Sequence, residues 1–230
     1  MQQFGEPIEA VIFDFHQTLV DASRSEGWLD DAWRVAGRRG VPADEWGDER
    51  AQEVRDFLAD VWHLANSVDP HSERDLSRAR HQKVWEETLT LVGGIDPDVA
   101  DALYATMDHH WVLYADTVPT LRTLRSRGIR VGLLSNIGID IRDTLRQQNA
   151  LHLFDAVVLS YEVGSVKPQA RIFERVLAQL RVPPQRALMV GDSWAYDAGG
   201  ADLGMRTLVL PRTSGEHHGL GLVLRLVGAA

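Results

Sequence analysis

The sequence of 230 residues contains no cysteine and only two lysines, Lys83 and Lys167. The lack of cysteine excludes disulfide frameworks, thiolate nucleophiles, zinc ribbons and iron–sulfur clusters, so any metal must be held by oxygen or imidazole ligands. Acidic residues outnumber basic residues by 33 to 24, which gives a net charge of −9. This balance argues against a nucleic-acid groove or an anionic membrane surface as a partner.

The sequence also lacks a long apolar run, since no stretch approaches the roughly 18 to 20 residues that span a bilayer. The first residues, MQQFGEPIEAVIF, lack the basic segment, apolar core and cleavage site of a signal peptide. Hydrophobic residues nevertheless make up 44% of the chain, which is too many for a disordered protein. We therefore expect a globular protein, cytoplasmic by default and monomeric or homodimeric, whose partners are small molecules.

Short apolar runs rich in β-branched residues alternate with helical patterns, which indicates an α/β fold with a parallel sheet. The runs are almost continuously apolar, as in strands that helices cover on both faces. We therefore predict a doubly wound, Rossmann-like parallel sheet. Its predicted strands span residues 9–15, 130–135, 156–160, 187–191 and 206–210.

The first crossover breaks this alternation, because residues 21–112 are helical in pattern. One apolar stripe runs over residues 28–36 and another over 54–65. We predict an all-helical cap domain at 21–112, inserted after the first strand into a core domain of residues 1–20 and 113–230. The cap holds six of the seven tryptophans. We interpret most of them as core residues and one or two as candidates to line a substrate pocket.

Polar side chains collect where the predicted strands end. Ligands of an open parallel sheet bind outside the carboxyl ends of its strands, near the point where the strand order reverses. A single aspartate or serine at a strand end is equally typical of a turn or helix cap, but four strands that deliver polar groups to one edge favour a site. These residues are Asp14, His16 and Thr18 after the first strand, Ser135 and Asn136 at the second, Lys167 after the third, and Asp192, Ser193 and Asp197 after the fourth.

The order and spacing of these residues resemble the four motifs of the haloacid dehalogenase superfamily of hydrolases. The matching segments are DFHQTL at 14–19, LSN at 134–136, VKP at 166–168 and GDSWAYD at 191–197. The long helical insertion after the first motif is similar to that superfamily's cap of the first type. Each motif alone is weak, but four in order on four strand ends are specific, and the resemblance covers essentially the whole chain.

The resemblance implies a magnesium-dependent hydrolase of a small phosphate monoester, with a phosphorylated metabolite as substrate. Asp14 would be the nucleophile that attacks phosphorus and forms an aspartyl-phosphate. The metal ligands would be the carboxylates of Asp14 and Asp192 and the backbone carbonyl of His16, since Mg²⁺ takes oxygen ligands. Asp197 would either bind the metal directly or hold a metal-bound water.

The remaining motif residues would contact the phosphoryl group. Ser135 and Lys167 are implied as catalytic and substrate-binding residues, the first as a hydrogen-bond donor and the second as a compact positive charge. Thr18 and Asn136 would complete the substrate-binding set.

His16 departs from the family pattern. Phosphatases of this superfamily usually carry an aspartate two residues after the nucleophile, which protonates the leaving oxygen and then activates water. Three interpretations stay open: the imidazole of His16 is the acid/base group; the chain is a 2-haloacid dehalogenase-like hydrolase of C–X bonds that needs no metal; or it binds a phosphorylated metabolite with little or no turnover. We favour the first, because the GDSWAYD segment is similar to the metal-binding motif of the phosphatases.

Two further groups are interpreted as surface residues. Lys83 is the cap lysine that a phosphonoacetaldehyde hydrolase would need for a Schiff base, but it lies too far after the nucleophile for that family. The pairs His109–His110 and His217–His218 are sequence neighbours, whose side chains point about 100° apart on a helix. We therefore expect them to be solvated rather than to bind metal.

Overall fold

The computed structural model describes residues 6–22, 25–213 and 215–227, and the rest of the predicted domains lies outside the described residues. The main sheet is parallel, with strand order β5-β4-β1-β6-β7, and β2 pairs antiparallel with β3 in a separate ribbon. The strands are β1 (Ala10–Phe13), β2 (Val20–Asp21), β3 (Val112–Leu113), β4 (Arg130–Ser135), β5 (Ala156–Leu159), β6 (Ala187–Gly191) and β7 (Arg206–Val209).

Helices connect the strands and build the cap. The α-helices are α1 (Trp28–Val35), α2 (Pro42–Trp46), α3 (Asp48–Ala59), α4 (Val61–Val68), α5 (Arg78–Leu89), α6 (Pro97–Thr106), α7 (Thr117–Ser126), α8 (Arg142–Gln147), α9 (Ser160–Val163), α10 (Ala170–Leu180), α11 (Trp194–Asp197) and α12 (Gly221–Val227). Short 3₁₀ helices cover Glu73–Leu76, Met107–His110, Leu151–Leu153, Pro184–Arg186 and Ala198–Leu203. Within the described ranges, no helix is long and apolar enough to cross a membrane.

The five predicted strands are confirmed as the strands of the main parallel sheet. The first is shorter than predicted and ends at Phe13. The chain turns back immediately afterwards, because the carbonyl of Phe15 accepts hydrogen bonds from the amides of Leu19 and Val20, and Gln17 takes a positive φ of 55°. This tight turn brings Asp14 to the end of the sheet rather than into a longer strand.

Strand β1 lies at the centre of the sheet, between β4 and β6. The register aligns Phe13 with Leu133 on one side and with Val190 on the other. After β1, the chain adds β4 and then β5 on one side of it, and afterwards β6 and β7 on the other side. The strand order therefore reverses between β1 and β6. The residues that follow these two strands, Asp14 and Asp192, therefore lie at the switch point where such sheets bind ligands.

Successive residues of β1 point to opposite layers of the molecule. Val11 and Phe13 pack in a large cluster that includes buried residues of the cap, whereas Ala10 and Ile12 pack in a second cluster against α10. Burial on both faces explains why the strand is uninterrupted in apolar residues. The predicted doubly wound fold with a helical cap is confirmed.

In sequence, the cap helices α1 to α6 come after β2 and before β3, so the β2–β3 ribbon joins the cap to the core. The apolar stripe predicted over residues 54–65 is divided, because α3 ends at Ala59, α4 begins at Val61 and Asp60 between them leaves the helical conformation at φ −114° and ψ 10°. Val54 and Leu58 are buried on one side of this break, and Val61 on the other. Residues on both sides of the break, Leu58 and Trp62 among them, line a cavity at the carboxyl edge of the sheet.

Candidate active site

Three carboxylates meet at the carboxyl edge of the sheet. Asp14 follows β1, Asp192 follows β6, and Asp197 ends the short helix α11. One oxygen from each lies within 4.8 Å of the others, a spacing that can hold a metal ion. Asp14 and Asp197 are buried, and Asp192 is half-buried. The sequence prediction that strand ends bring these three residues together is therefore met in the structure.

Lys167 lies between two of these carboxylates. Its Nζ donates hydrogen bonds to Asp14 Oδ1 at 2.6 Å and to Asp197 Oδ1 at 2.7 Å, and the residue is only 2% exposed. Its backbone is held by Asn136, whose Oδ1 accepts from the Lys167 amide at 2.7 Å and whose Nδ2 donates to the Lys167 carbonyl at 3.0 Å. The asparagine that follows β4 thus fixes the backbone of the lysine that follows β5.

Burial and charge act against each other on this cluster. Burial raises the pKa of Asp14 to about 7, the Lys167 ammonium opposes the rise, and the Asp197 and Asp192 carboxylates add to it. Burial alone would lower the pKa of Lys167, but its two carboxylate partners outweigh burial and raise the pKa above its ordinary value. The lysine is therefore a permanent positive charge in the site.

Asp197 and Asp192 each accept a hydrogen bond from a residue other than Lys167. Asp197 Oδ2 accepts a hydrogen bond from the Ser193 amide at 3.0 Å. A side chain at Gly191 would collide with the Asp197 carboxylate, so only glycine fits at the end of β6. Asp192 Oδ2 accepts from Arg212 Nε at 2.5 Å, although Arg212 is largely exposed.

The other predicted residues surround the carboxylates in different ways. Thr18 is fully buried, and its Oγ1 lies 3.5 Å from Asp14 Oδ2. Ser135 is also fully buried, and its Oγ has no hydrogen-bond partner among the described residues. Neither is among the residues that line the cavity described below. Direct substrate contact by Thr18, Ser135 and Asn136 stays a prediction.

His16 is packed against aromatic rings. Its imidazole lies edge-on to Trp111, with ring centroids 4.5 Å apart, and 5.1 Å from the ring of Phe15. Its Nε2 is buried and makes no hydrogen bond within the described part of the chain. Burial, together with the charges of Lys167, His81 and Arg74, lowers the pKa of the imidazole to about 3. The ring is therefore neutral near pH 7.

A cavity of about 420 Å³ opens above these residues, between the core and the cap. The core contributes Asp14, His16, Asn136, Lys167, Asp192, Asp197 and Arg212 to its walls, and the cap contributes Trp28, Trp62, Asn66, Arg74, Asp75, His81 and Trp111, among others. The interpretation that some tryptophans line a pocket fits this lining. Trp33 and Trp85 are instead buried in the cap, as most were expected to be.

Several charged residues of the cavity were missed by the sequence analysis. Arg74 is held against the Trp62 ring, with its Cζ 5.8 Å from the ring centroid, and it donates to Asn66 Oδ1 at 3.3 Å. Asp75 lies beside it on the same 3₁₀ helix. Arg212 could have been found, since it follows β7 at the same edge of the sheet, but helical cap residues have no such positional signal.

The histidine pairs are only partly solvated. His109 and His217 are exposed, as expected, and Lys83 is a surface residue that lies 3.6 Å from Glu87. The prediction is wrong for His218, which is buried with its ring 4.9 Å from that of Tyr114. His110 is half-buried and lies 3.3 Å from Asp31. His218 lies on the segment after β7 and packs against Tyr114, which is distant in sequence, so an argument from sequence neighbours does not anticipate its burial.

Comparisons with known proteins identify the family of the chain. The family model of haloacid dehalogenase-like hydrolases matches residues 8–202. The chain is 32% identical to glyceraldehyde 3-phosphate phosphatase of Methanothermobacter thermautotrophicus, over 88% of this chain and 85% of that protein. It is 33% identical to phosphoserine phosphatase of Thermus thermophilus, over 89% of each chain.

Solved structures share the fold. A HAD phosphatase from Thermococcus onnurineus aligns over 96% of this chain and 98% of its own, with a TM-score of 0.62 and 24% identity. L-2-haloacid dehalogenase of Xanthobacter autotrophicus aligns over 97% of this chain and 84% of its own, with a TM-score of 0.65 and 22% identity. The resemblance inferred from the four motifs is confirmed, and the chain belongs to the haloacid dehalogenase-like hydrolases.

Proposed function

We propose that the chain hydrolyses a small phosphate monoester in a magnesium-dependent reaction, through an aspartyl-phosphate on Asp14. The observation that carries this proposal is the buried ammonium of Lys167 between the carboxylates of Asp14 and Asp197 at the switch point of the sheet. Phosphoryl transfer brings an anionic nucleophile to an anionic group, so it needs fixed positive charge at the reacting atoms. The fully paired lysine supplies that charge without reorganisation.

The two oxygens of Asp14 have different surroundings. Oδ1 is paired with Lys167 at 2.6 Å, whereas Oδ2 has a long contact of 3.5 Å with Thr18. We assign Oδ2 as the attacking atom. In the first step an Oδ2–P bond forms as the ester P–O bond breaks; in the second, water attacks phosphorus and the Oδ2–P bond breaks. The unpartnered hydroxyl of Ser135 supports its assignment as a donor to the phosphoryl group.

The three carboxylates fit a hard divalent cation. Asp14, Asp192 and Asp197 offer oxygen ligands within 4.8 Å of one another, and the predicted carbonyl ligand of His16 is two residues from Asp14. Repulsion among these carboxylates contributes to the raised pKa of Asp14, and a bound cation relieves such repulsion. When bound, Mg²⁺ would neutralise charge on the phosphoryl oxygens.

The side chain of His16 suits the proton-transfer step less well than the sequence suggested. Its ring packs against Phe15 and Trp111, and its pKa of about 3 leaves no imidazolium near pH 7 to protonate a leaving oxygen. We therefore retain only its backbone carbonyl, as a metal ligand. The aspartate that usually performs this step is absent from position 16, so the proton must come from another group.

The site also bears on the two alternative functions, a metal-independent dehalogenase and a binding protein without turnover. A metal-independent dehalogenase would have little use for three converging carboxylates, and the dehalogenase structures that align here share the fold without deciding the reaction. A binding protein without turnover would retain affinity for phosphate. The named relatives act on small phosphorylated compounds, glyceraldehyde 3-phosphate and phosphoserine. We propose the same class of substrate for this chain.

The test is turnover of p-nitrophenyl phosphate with and without Mg²⁺. We expect metal-dependent hydrolysis that falls at least about a thousandfold in Asp14→Asn, since removing a nucleophile abolishes the covalent route. Asp143→Asn is the matched control, because Asp143 is exposed and paired only with Arg146 in the described structure. Metal-independent turnover, or unchanged activity in Asp14→Asn, would overturn the mechanism. Halide release from a 2-haloacid without metal would establish the dehalogenase instead, and phosphate binding without turnover the binding protein.

A further inference from the structure

Asp75 is a buried carboxylate of the cap that faces the cavity. It lies on the 3₁₀ helix Glu73–Leu76, is 9% exposed and belongs to the cavity wall. Asp14 and Asp197 are paired with Lys167, and Asp192 is paired with Arg212. The carboxylate of Asp75, in contrast, accepts no hydrogen bond and joins no ion pair among the described residues. Because buried carboxylates are normally satisfied, this one calls for an explanation.

The backbone around Asp75 is fixed from both sides of the cavity. On the cap side, Asp69 accepts hydrogen bonds from the amides of Glu73 and Arg74, both at 3.0 Å. On the core side, Ser160 Oγ donates to the Asp75 carbonyl at 2.6 Å.

The same serine is also hydrogen-bonded to the segment of the core that follows β4. Ser160 Oγ accepts from the amide of Ile137 at 2.8 Å. Ile137 follows Asn136, the residue that holds Lys167. The position of Asp75 relative to the reacting groups is therefore set by hydrogen bonds rather than by a mobile loop.

The charges around Asp75 leave it able to exchange a proton near neutral pH. Burial raises its pKa to about 6, Arg74 and Lys167 oppose the rise, and Asp69 adds to it. These are the charged groups that face the carboxyl from the cap and from the core. A general acid works best when its pKa lies near the working pH.

We propose that Asp75 is the catalytic acid and base of the reaction, supplied by the cap in place of the missing aspartate at position 16. This inference rests on the proposed phosphatase function. As the ester P–O bond breaks and the bond from Asp14 Oδ2 to phosphorus forms, the Asp75 carboxyl gives its proton to the leaving oxygen, which departs as an alcohol. In the second step, the Asp75 carboxylate takes a proton from the attacking water, as the new O–P bond forms and the aspartyl-phosphate is cleaved. The proton balance of Asp75 is thus restored in each cycle.

The experiment compares leaving groups that need a proton with leaving groups that do not. Asp75→Asn, His16→Asn and the wild type are assayed with Mg²⁺ on glycerol 3-phosphate, which has an alkoxide leaving group, and on 2,4-dinitrophenyl phosphate, whose phenolate leaves unaided. We expect Asp75→Asn to lose at least about a hundredfold in kcat/KM on the alkyl ester, the usual contribution of general acid catalysis. Its formation of aspartyl-phosphate from the dinitrophenyl ester, measured as the phenolate burst, should stay within about threefold of wild type.

The matched control is Glu73→Gln, on the same 3₁₀ helix, because Glu73 is exposed and paired with Arg80 at 2.6 Å. The intact phenolate burst also shows that Asp75→Asn is folded. An equal loss on both esters, or a leaving-group effect that appears in His16→Asn and not in Asp75→Asn, would overturn the assignment to Asp75 and leave the phosphatase function standing. A wild type without turnover that depends on Asp14 would overturn both.

Discussion

The buried carboxylate of Asp75 should make the protein less stable at neutral pH than at acidic pH. Burial raises its pKa from the ordinary value of 3.8 to about 6. A carboxyl whose pKa is higher in the folded state binds more protons there than in the unfolded state, so stability falls as the pH rises between these two values. One pKa unit corresponds to about 1.4 kcal/mol, so the ionised carboxylate costs about 3 kcal/mol above the folded-state pKa.

Asp75→Asn replaces the carboxylate with a neutral group of the same shape, so it should remove this cost. We expect the variant to be more stable than wild type by about 3 kcal/mol near pH 8 and by less than about 1 kcal/mol near pH 4, where the wild-type carboxyl is largely protonated in the folded protein. The sign is unusual, since most substitutions at buried positions are destabilising. It follows because the Asp75 carboxylate has no hydrogen-bond or ion-pair partner among the described residues that the substitution could break.

The assay is urea unfolding of the metal-free protein in EDTA across this pH range, followed by tryptophan fluorescence. Removing divalent ions excludes metal binding as a variable. Asp14 titrates within this pH range as well, but it does so in both proteins, so the difference between the variants reports Asp75. Glu73→Gln is again the control and should lie within about 0.5 kcal/mol of wild type at every pH, because its ion pair with Arg80 is exposed. A stability difference for Asp75→Asn that does not change with pH would refute the reasoning.

Three further predictions concern the core side of the site. Lys167→Met should lower the free energy of unfolding by about 3 to 5 kcal/mol in urea and abolish turnover, because two buried carboxylates lose their cation; a variant as stable as wild type would contradict the pairing. Gly191→Ala should reduce phosphatase activity to the level of Asp197→Ala while circular dichroism shows a folded protein, since the added methyl displaces the Asp197 carboxylate; wild-type activity would show that the carboxylate is dispensable there. Arg212→Gln should tighten Mg²⁺ binding by up to about fivefold in calorimetry, since Arg212, which is itself exposed, competes with the cation for Asp192 in a pair worth at most about 1 kcal/mol; weaker binding would contradict this competition.

The core of the site could be predicted from sequence because a parallel sheet imposes a simple geometry. Its strands begin at one edge and end at the other, so residues that follow different strands meet without any knowledge of loop structure. This argument predicts the positions of Asp14, Lys167, Asp192 and Asp197. In the structure, hydrogen bonds link Lys167 to Asp14 and Asp197, and an oxygen of Asp192 lies within 4.8 Å of an oxygen of each of these aspartates. Arg212 follows from the same rule applied to the last strand.

The cap side of the site could not be predicted in the same way. Arg74 and Asp75 lie on a 3₁₀ helix that follows a break after α3 and a turn after α4, and each changes the direction of the chain. Helical periodicity predicts which face of a helix is buried, but it does not predict which neighbour covers that face. The pairing of Ser160 with the Asp75 carbonyl spans 85 residues of sequence, and neither residue shows a local pattern that indicates the other.

The division of the site between core and cap couples catalysis to substrate fit. In the proposed mechanism Asp14 and Lys167 act on the phosphoryl group, which is common to all phosphate monoesters, and both belong to the core. The proposed acid, Asp75, belongs to the cap, where Arg74 and Trp62 line the space for the rest of the substrate. An alkyl ester can be cleaved quickly only if its leaving oxygen lies within reach of Asp75, so a poorly fitting substrate loses proton transfer as well as binding energy. Specificity in such an arrangement would be expressed in kcat as much as in KM.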